Sequence, residues 1–315
     1  MEMRELFATE IQKYMEKDEK IVIINADLAK PNGMGEINKI FPERVFNAGI
    51  AEQNMASMAA GMSSYGLTPF ICTFTPFATR RICDQIAISI CYANQNVKII
   101  GTDPGISAEF NGGTHMSVED IGVLRSIPNI VICEPVDNTE LKKLLPQIIN
   151  YKGPVYIRMF RKTTEDVFKD SDEFNLFKAK KIKEGKDISI FCTGIMVNET
   201  LKANEILRKE SIDAEIINIH TIKPIDEKAV INSVSKTGCA LTVENHNVIG
   251  GLGSAISEVI CENCPTVLKR VGINDVFGQV GKMPYLKEVY KMRAEDIAQK
   301  AKEVLQLKNK QFKHN

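Results

Sequence analysis

One pattern constrains the fold more than any other. Short runs, almost wholly apolar and rich in Val and Ile, alternate along the chain with stretches of helical period. In the first part the runs occupy residues 21–25, 45–47, 69–74, 97–102, 130–133 and 155–158, and amphipathic segments such as 79–92 and 138–149 lie between them. A strand with one wet face alternates apolar and polar residues. A strand that is apolar throughout is covered on both faces, and the intervening helices are what covers it. The expected fold class is therefore α/β, a mostly parallel sheet flanked by helices. The rhythm stops over 162–186, a stretch dense in Lys, Asp and Glu. It restarts with runs at 188–192, 215–220, 241–243 and 267–271, with helical segments at 197–209, 226–234 and 253–261 and a last one near 293–307. Two α/β domains are expected, 1–162 and 187–315, with a charged linker over 163–186.

The bulk composition excludes several classes of function. The 315 residues are 44% hydrophobic and 25% charged, and 40 basic side chains balance 40 acidic ones. That balance belongs to a globular enzyme or binding protein, and it lacks the basic footprint of a nucleic-acid or membrane-surface binder. The lysines near the end, Lys308, Lys310 and Lys313, read as a frayed, solvated terminus. Residues 1–17 mix charges with apolar residues at helical spacing, which is not the layout of a signal peptide, and no later stretch is long and apolar enough to span a membrane. Cys72, Cys91, Cys133 and Cys192 sit inside apolar runs and read as small core residues. Cys261 and Cys264 form a lone C-x-x-C without a second pair, a weak basis for zinc. The expected compartment is a reducing cytoplasm.

The most informative segment is Phe46-Asn47-Ala48-Gly49-Ile50-Ala51-Glu52-Gln53-Asn54-Met55. A strand enters, Gly49 permits a sharp turn, and a helix begins near Ala51. Met55, Met58 and Met62 then form one apolar stripe, while Glu52, Ala56, Ala59 and Ala60 form a face of small residues open to close approach by another surface. Taken alone, Glu52 reads as a first-turn carboxylate complementing the helix dipole. Two further segments follow strands: Thr73-Phe74-Thr75-Pro76-Phe77, and the glycine-rich Gly101-Thr102-Asp103-Pro104-Gly105 running on to Asn111-Gly112-Gly113-Thr114-His115. Open α/β sheets bind ligands at the C-terminal ends of their strands, where both segments fall.

These three segments together resemble the transketolase family, which includes 1-deoxyxylulose-5-phosphate synthase. The resemblance implies that Glu52 hydrogen-bonds N1′ of the aminopyrimidine of thiamine diphosphate, a role that needs a buried carboxylate able to share a proton. It implies that Phe74 and Phe77 wall the aminopyrimidine pocket, a further family tyrosine being replaced near Arg80. It adds Asp27 to the cofactor-binding set and places His115 beside the reacting carbons of the substrate. Arg161 matches a phosphate-binding arginine. Two positions depart from the family: Asp103 stands where a phosphate-binding histidine is usual, and Asn111 where an aspartate contacts a sugar hydroxyl. An anion near a phosphate repels it, so the sugar end is expected to be altered while the cofactor end is intact.

The second domain carries His220-Thr221-Ile222-Lys223-Pro224 and Val243-Glu244-Asn245-His246, then Gly250-Gly251-Leu252-Gly253. These resemble the C-terminal domain shared by transketolases and the beta subunits of 2-oxo acid dehydrogenases. The glycine run lacks the third glycine of a dinucleotide fingerprint and reads as a tight strand-to-helix turn. No Gly-Asp-Gly, the mark of the diphosphate-binding domain, occurs in the chain. With Met1 directly before the first helix, the resemblance implies a two-chain enzyme. A separate N-terminal transketolase subunit would hold the diphosphate through Mg2+ or Ca2+, in a two-plus-two assembly acting on a sugar or sugar phosphate by transfer of a two-carbon ketol unit. The rival readings are a 2-oxo acid dehydrogenase beta subunit, a 1-deoxyxylulose-5-phosphate synthase-like enzyme, and a non-catalytic scaffold.

Overall fold

Each of the apolar runs becomes a strand in the computed structural model, which describes residues 1–311. The first part runs α1 (Met3–Met15), β1 (Ile21–Asn25), α2 (Gly35–Ile40), β2 (Val45–Asn47), α3 (Glu52–Ser64), β3 (Thr68–Phe74) and α4 (Thr75–Ala78). It continues with β4 (Lys98–Thr102), α5 (Asp120–Arg125), β5 (Val131–Cys133), α6 (Asn138–Asn150) and β6 (Val155–Met159). The second part comprises β7 (Lys180–Lys183), β8 (Ile188–Cys192), α7 (Met196–Lys209), β9 (Ala214–Asn218), β10 (Thr221–Lys223) and α8 (Glu227–Thr237). It closes with β11 (Cys239–Asn247), α9 (Leu252–Asn263), β12 (Val267–Ile273), α10 (Met283–Val289) and α11 (Ala294–Gln311).

The strands form a seven-stranded sheet, β10-β5-β6-β4-β3-β1-β2, and a five-stranded sheet, β12-β11-β8-β9-β7. All pairings are parallel except those of the edge strands β10 and β7. β1, β4, β6, β8 and β9 are buried at every residue, as continuous apolar runs require. On one face of the larger sheet α1 and α6 bring Phe7, Ile11, Leu141 and Ile148 against Phe70 and Ile157. On the other face α3 and α5 bring Met55, Ala59 and Ile121 against Ile71 and Ile99. Each large aliphatic side chain buried in this way stabilises the fold by roughly 1.5–3 kcal/mol. Helix ends follow local chemistry. Asp137 caps α6 by accepting the Glu140 N–H at 2.9 Å, and α8 stops at Gly238, whose φ is 68°.

Several expectations change on contact with the tertiary structure. The run over 215–220 ends as a strand at Asn218, and Thr221–Lys223 crosses to pair antiparallel with β5 in the first sheet. The charged stretch over 163–186 contains β7, whose residues alternate half-buried (Lys180, Ile182) and exposed (Lys181, Lys183) at the edge of the second sheet. The amphipathic stretch over 79–92 is not one α-helix. It breaks at Thr79 (φ −132°, ψ −89°) into a 3-10 turn, Arg80–Ile82, and a π-helical turn, Gln85–Tyr92, because the wider turn lets Ile86, Ile90 and Cys91 all reach the core. In α3 the face of Ala56, Ala59 and Ala60 packs inward on the chain's own sheet, and Met58 and Met62 are only half-buried. Lys308 is no frayed end: it sits in α11 and its Nζ reaches the Thr237 carbonyl at 2.6 Å and that of Asp187 at 3.1 Å. Lys310 lies in the same helix, and Lys313 lies outside the described residues.

Candidate active site

The site is assembled where the larger sheet changes direction. Strand order proceeds outward from β1 to β2 on one side and from β3 to β4 on the other, so the switch point at which open α/β sheets bind ligands lies at the C-terminal ends of β1 and β3. β2 ends at Asn47. Gly49 then takes φ 72°, the left-handed region that glycine enters without strain, and α3 starts at Glu52. The Asn47 side chain fixes this corner by accepting the Gly49 N–H at 3.0 Å and the Asp27 N–H at 2.9 Å. Asp27 is thereby held at the turn itself, exposed, with φ 62°. Glu52 is 4% exposed, and its Oε1 lies 2.7 Å from Arg81 Nη1.

Beside it stands an aromatic wall. Phe74 closes β3 and Phe77 lies in α4, their ring centroids 6.1 Å apart. The His115 ring meets Phe77 edge-on at 5.2 Å and Phe74 at 6.3 Å. The Arg81 guanidinium lies over the Phe77 ring at 3.7 Å from its centroid. The loop carrying His115 is anchored by Arg80, which pairs with Glu119 at 2.7 Å and donates to the Thr114 carbonyl at 3.3 Å. Thr114 Oγ1 lies 2.9 Å from His115 Nδ1.

At the far end of the wall Arg161 stands over Phe74, 5.2 Å from its centroid, and pairs with Asp103 at 2.7 Å. Burial pushes the Asp103 carboxyl up to about 6, although Arg161 and Lys162 pull it down. Asp103 (φ 55°) and Glu109 (φ 47°) both hold backbone conformations that side chains resist. Glu109 is kept there by an ion pair with Lys162 and by the Met283 N–H, which it accepts at 3.0 Å. Asn111 is exposed at the end of the 3-10 stretch Gly105–Asn111, and its side chain makes no hydrogen bond among the described residues.

The second domain braces this loop from behind. Asn245, on β11, accepts the Ile106 N–H and donates to the Pro104 carbonyl, both at 2.9 Å. Gly105 has φ 54°, and a Cβ there would stand 2.2 Å from Asn245 Oδ1, so only glycine passes. Beneath lies a closed charge network. Arg158, wholly buried, contacts Asp120 at 2.7 Å, Glu134 at 2.5 Å and the Asn245 carbonyl at 2.6 Å. Burial pushes Asp120's carboxyl up, but Arg158 and His246 more than reverse that, holding it below the usual range. Burial pushes Glu244 up to about 7 against the N–H groups of Gly253 and Leu252 that it accepts at the start of α9.

Of the residues singled out in the sequence, Phe74, Phe77, His115, Arg161 and Asp103 are linked by direct contacts, and Glu52 joins them through Arg81. Asp27 sits with Asn47 at the Gly49 corner, and Asn111 is exposed at the end of the Gly105–Asn111 stretch. Arg80, Arg81, Asn47 and Glu109 were missed. Their roles depend on partners distant in the chain, and only the unusual Arg-Arg pair after Phe77 hinted at them. A flat, half-buried aromatic surface beside a buried carboxylate fits a planar nitrogen heterocycle. Among the described residues no group of three or more His, Cys, Asp or Glu side chains is placed to hold a metal ion, and no helix is long and apolar enough to cross a membrane.

Known proteins share this pair of domains. The transketolase pyrimidine-binding domain matches residues 1–166 and the transketolase C-terminal domain residues 177–297. The chain is 47% identical over 98% of its length, and 95% of the relative's, to the 6-deoxy-6-sulfo-D-fructose transketolase subunit SqwH of a Clostridium species. It is 41% identical, over 96% of its length and 95% of the relative's, to a putative transketolase C-terminal section of Methanocaldococcus jannaschii. Among solved structures, a split-gene transketolase described as an inactive beta4 tetramer superposes with a TM-score of 0.90 at 38% identity, covering 98% of this chain and 99% of that one. The chain belongs to the transketolase family, whose members depend on thiamine diphosphate, and corresponds to the C-terminal subunits of its split members.

Proposed function

We propose that this chain, joined to a separate N-terminal subunit, transfers a two-carbon ketol unit from a ketose donor to an aldose acceptor. The observation that carries the reading is the cluster of Phe74, Phe77 and His115 with Glu52 joined through Arg81, within a domain pair that belongs to the family. When bound, thiamine diphosphate supplies the carbon nucleophile that takes up the two-carbon unit. Phe74 and Phe77 would stack against its aminopyrimidine ring, a contact worth roughly 0.5–1.5 kcal/mol per ring beyond burial. Glu52 would hold a proton at N1′, with low exposure strengthening that hydrogen bond. His115, held by its loop against Phe77, would donate to or accept from the substrate oxygens near the reacting carbons. Asp27 would border the cofactor at the Gly49 turn. The partner subunit would bring the diphosphate site and its divalent cation, in an assembly with two copies of each chain.

At the sugar end, Arg161 is already neutralised by Asp103. A donor whose far end carries at most one negative charge suits this pair better than a dianionic phosphate, unless partner residues add cations. Unphosphorylated or branched ketoses fit that description. So does a sulfonate such as the one named for the Clostridium relative. The test is a panel of phosphorylated, sulfonated and unphosphorylated ketoses, with 2-oxo acids, assayed on the reconstituted pair. Use of 2-oxo acids without ketose cleavage would replace this reading with the synthase-like or dehydrogenase-like one.

A further inference from the structure

The Arg81 side chain makes, within this chain, two contacts that a planar cofactor ring would need. Its guanidinium carbon lies over the Phe77 ring at 3.7 Å from the centroid, a stacking distance, and its Nη1 meets Glu52 Oε1 at 2.7 Å. Guanidinium is a planar cation that stacks on aromatic faces and donates to a carboxylate in its own plane. An aminopyrimidine offers the same combination of a flat face and a hydrogen-bonding edge.

We propose that Arg81 is a placeholder: it occupies the seat of the aminopyrimidine ring between Phe77 and Glu52 and swings out when the cofactor enters. This rests on the reading of the site given above. The exposures of the two partners make the exchange feasible. Glu52 is 4% exposed, and a buried polar group without a hydrogen-bond partner is unfavourable, so Arg81 supplies that partner until a ring replaces it. Arg81's side chain is 44% exposed and can regain water as it leaves. Its backbone stays in place, since the Arg81 carbonyl accepts from Gln53 Nε2 at 3.3 Å and the 3-10 turn Arg80–Ile82 sits between two helical segments. Only the side chain has to move. The device holds the Glu52 side chain in place in a subunit that awaits its partner, and cofactor entry must displace it.

The test is thiamine diphosphate affinity of the reconstituted pair with Mg2+, measured by titration calorimetry, a readout independent of turnover. Arg81→Ala removes the competitor and should tighten binding by roughly 3–30-fold, the size of one half-exposed ion pair plus one cation–π contact. Arg81→Lys keeps the charge, loses the flat stack and should fall between; it carries the test alone if the alanine variant does not fold. Unchanged or weaker binding in these variants, with normal binding by the native pair, overturns the placeholder and leaves the functional reading standing. A native pair that binds no thiamine diphosphate overturns both.

Discussion

Arg161 and Asp103 meet at 2.7 Å with the carboxylate almost closed to solvent, so the arginine that resembles a phosphate binder already has its anion. Asp103→His combined with Asn111→Asp restores the charges usual in the family and frees Arg161. The double variant should raise kcat/KM for phosphorylated ketoses by about tenfold, one charge-assisted contact, relative to unphosphorylated ones. Competition kinetics on the reconstituted pair measure the ratio. If the native enzyme already works best on xylulose 5-phosphate and the double change does not improve it, these two positions do not set the preference.

The same carboxyl makes a prediction about stability. Burial raises Asp103 from 3.8 to about 6, so the folded chain holds that proton more tightly than the unfolded chain does. Its stabilising contribution is complete below about pH 4 and is lost as pH rises through about 6. Asp103→Asn keeps the size and cannot titrate. Between pH 4 and 7 the native chain should therefore lose up to about 3 kcal/mol relative to the variant. Urea unfolding of both at several pH values checks it, and parallel curves would show that Asp103 does not titrate in this window.

Glu52→Gln keeps the shape at the start of α3 and removes the acid. Turnover should fall about 10²–10⁴-fold, the range of general acid–base groups, with an unchanged melting curve. Exchange of the cofactor C2 proton in the reconstituted pair is the direct measurement. Near-normal exchange would reassign Glu52 to complementing the helix dipole.

The chain by itself should fold, bind thiamine diphosphate poorly and cleave no ketose, with activity appearing on addition of the N-terminal subunit. Sedimentation and ketose assays on the same samples test this together. Turnover by this chain alone would sink the two-subunit reading.

Arg158→Met preserves volume but strands Asp120 and Glu134 in the core. Breaking a buried pair by removing one partner costs about 3–5 kcal/mol, and the loss should appear as a lower denaturant midpoint at neutral pH. A shift below about 1 kcal/mol would mean that water or rearrangement relieves both carboxylates.

The alternation of apolar runs with helical stretches was enough to place the strands of both sheets except the edge strands β7 and β10, because burial on two faces writes itself into every residue of β1, β4 and β8. α2, α5 and α10, only six or seven residues long, carry too few turns to show a period. The segments around Glu52 and Phe74 were legible for a related reason: each lies at or just after a strand end, so local order sets its place, whereas His115 comes after the 3-10 stretch that follows β4. What local order could not set is who faces whom. Arg81 reaches Glu52 across 29 positions, and Asn245 grips Ile106 across 139. The crossing of Thr221–Lys223 into the first sheet likewise depends on β5 presenting a free edge. Spacing and propensity act over a few residues, whereas ion pairs, stacking and edge pairing are decided by which surfaces the packed sheets bring within a few ångströms.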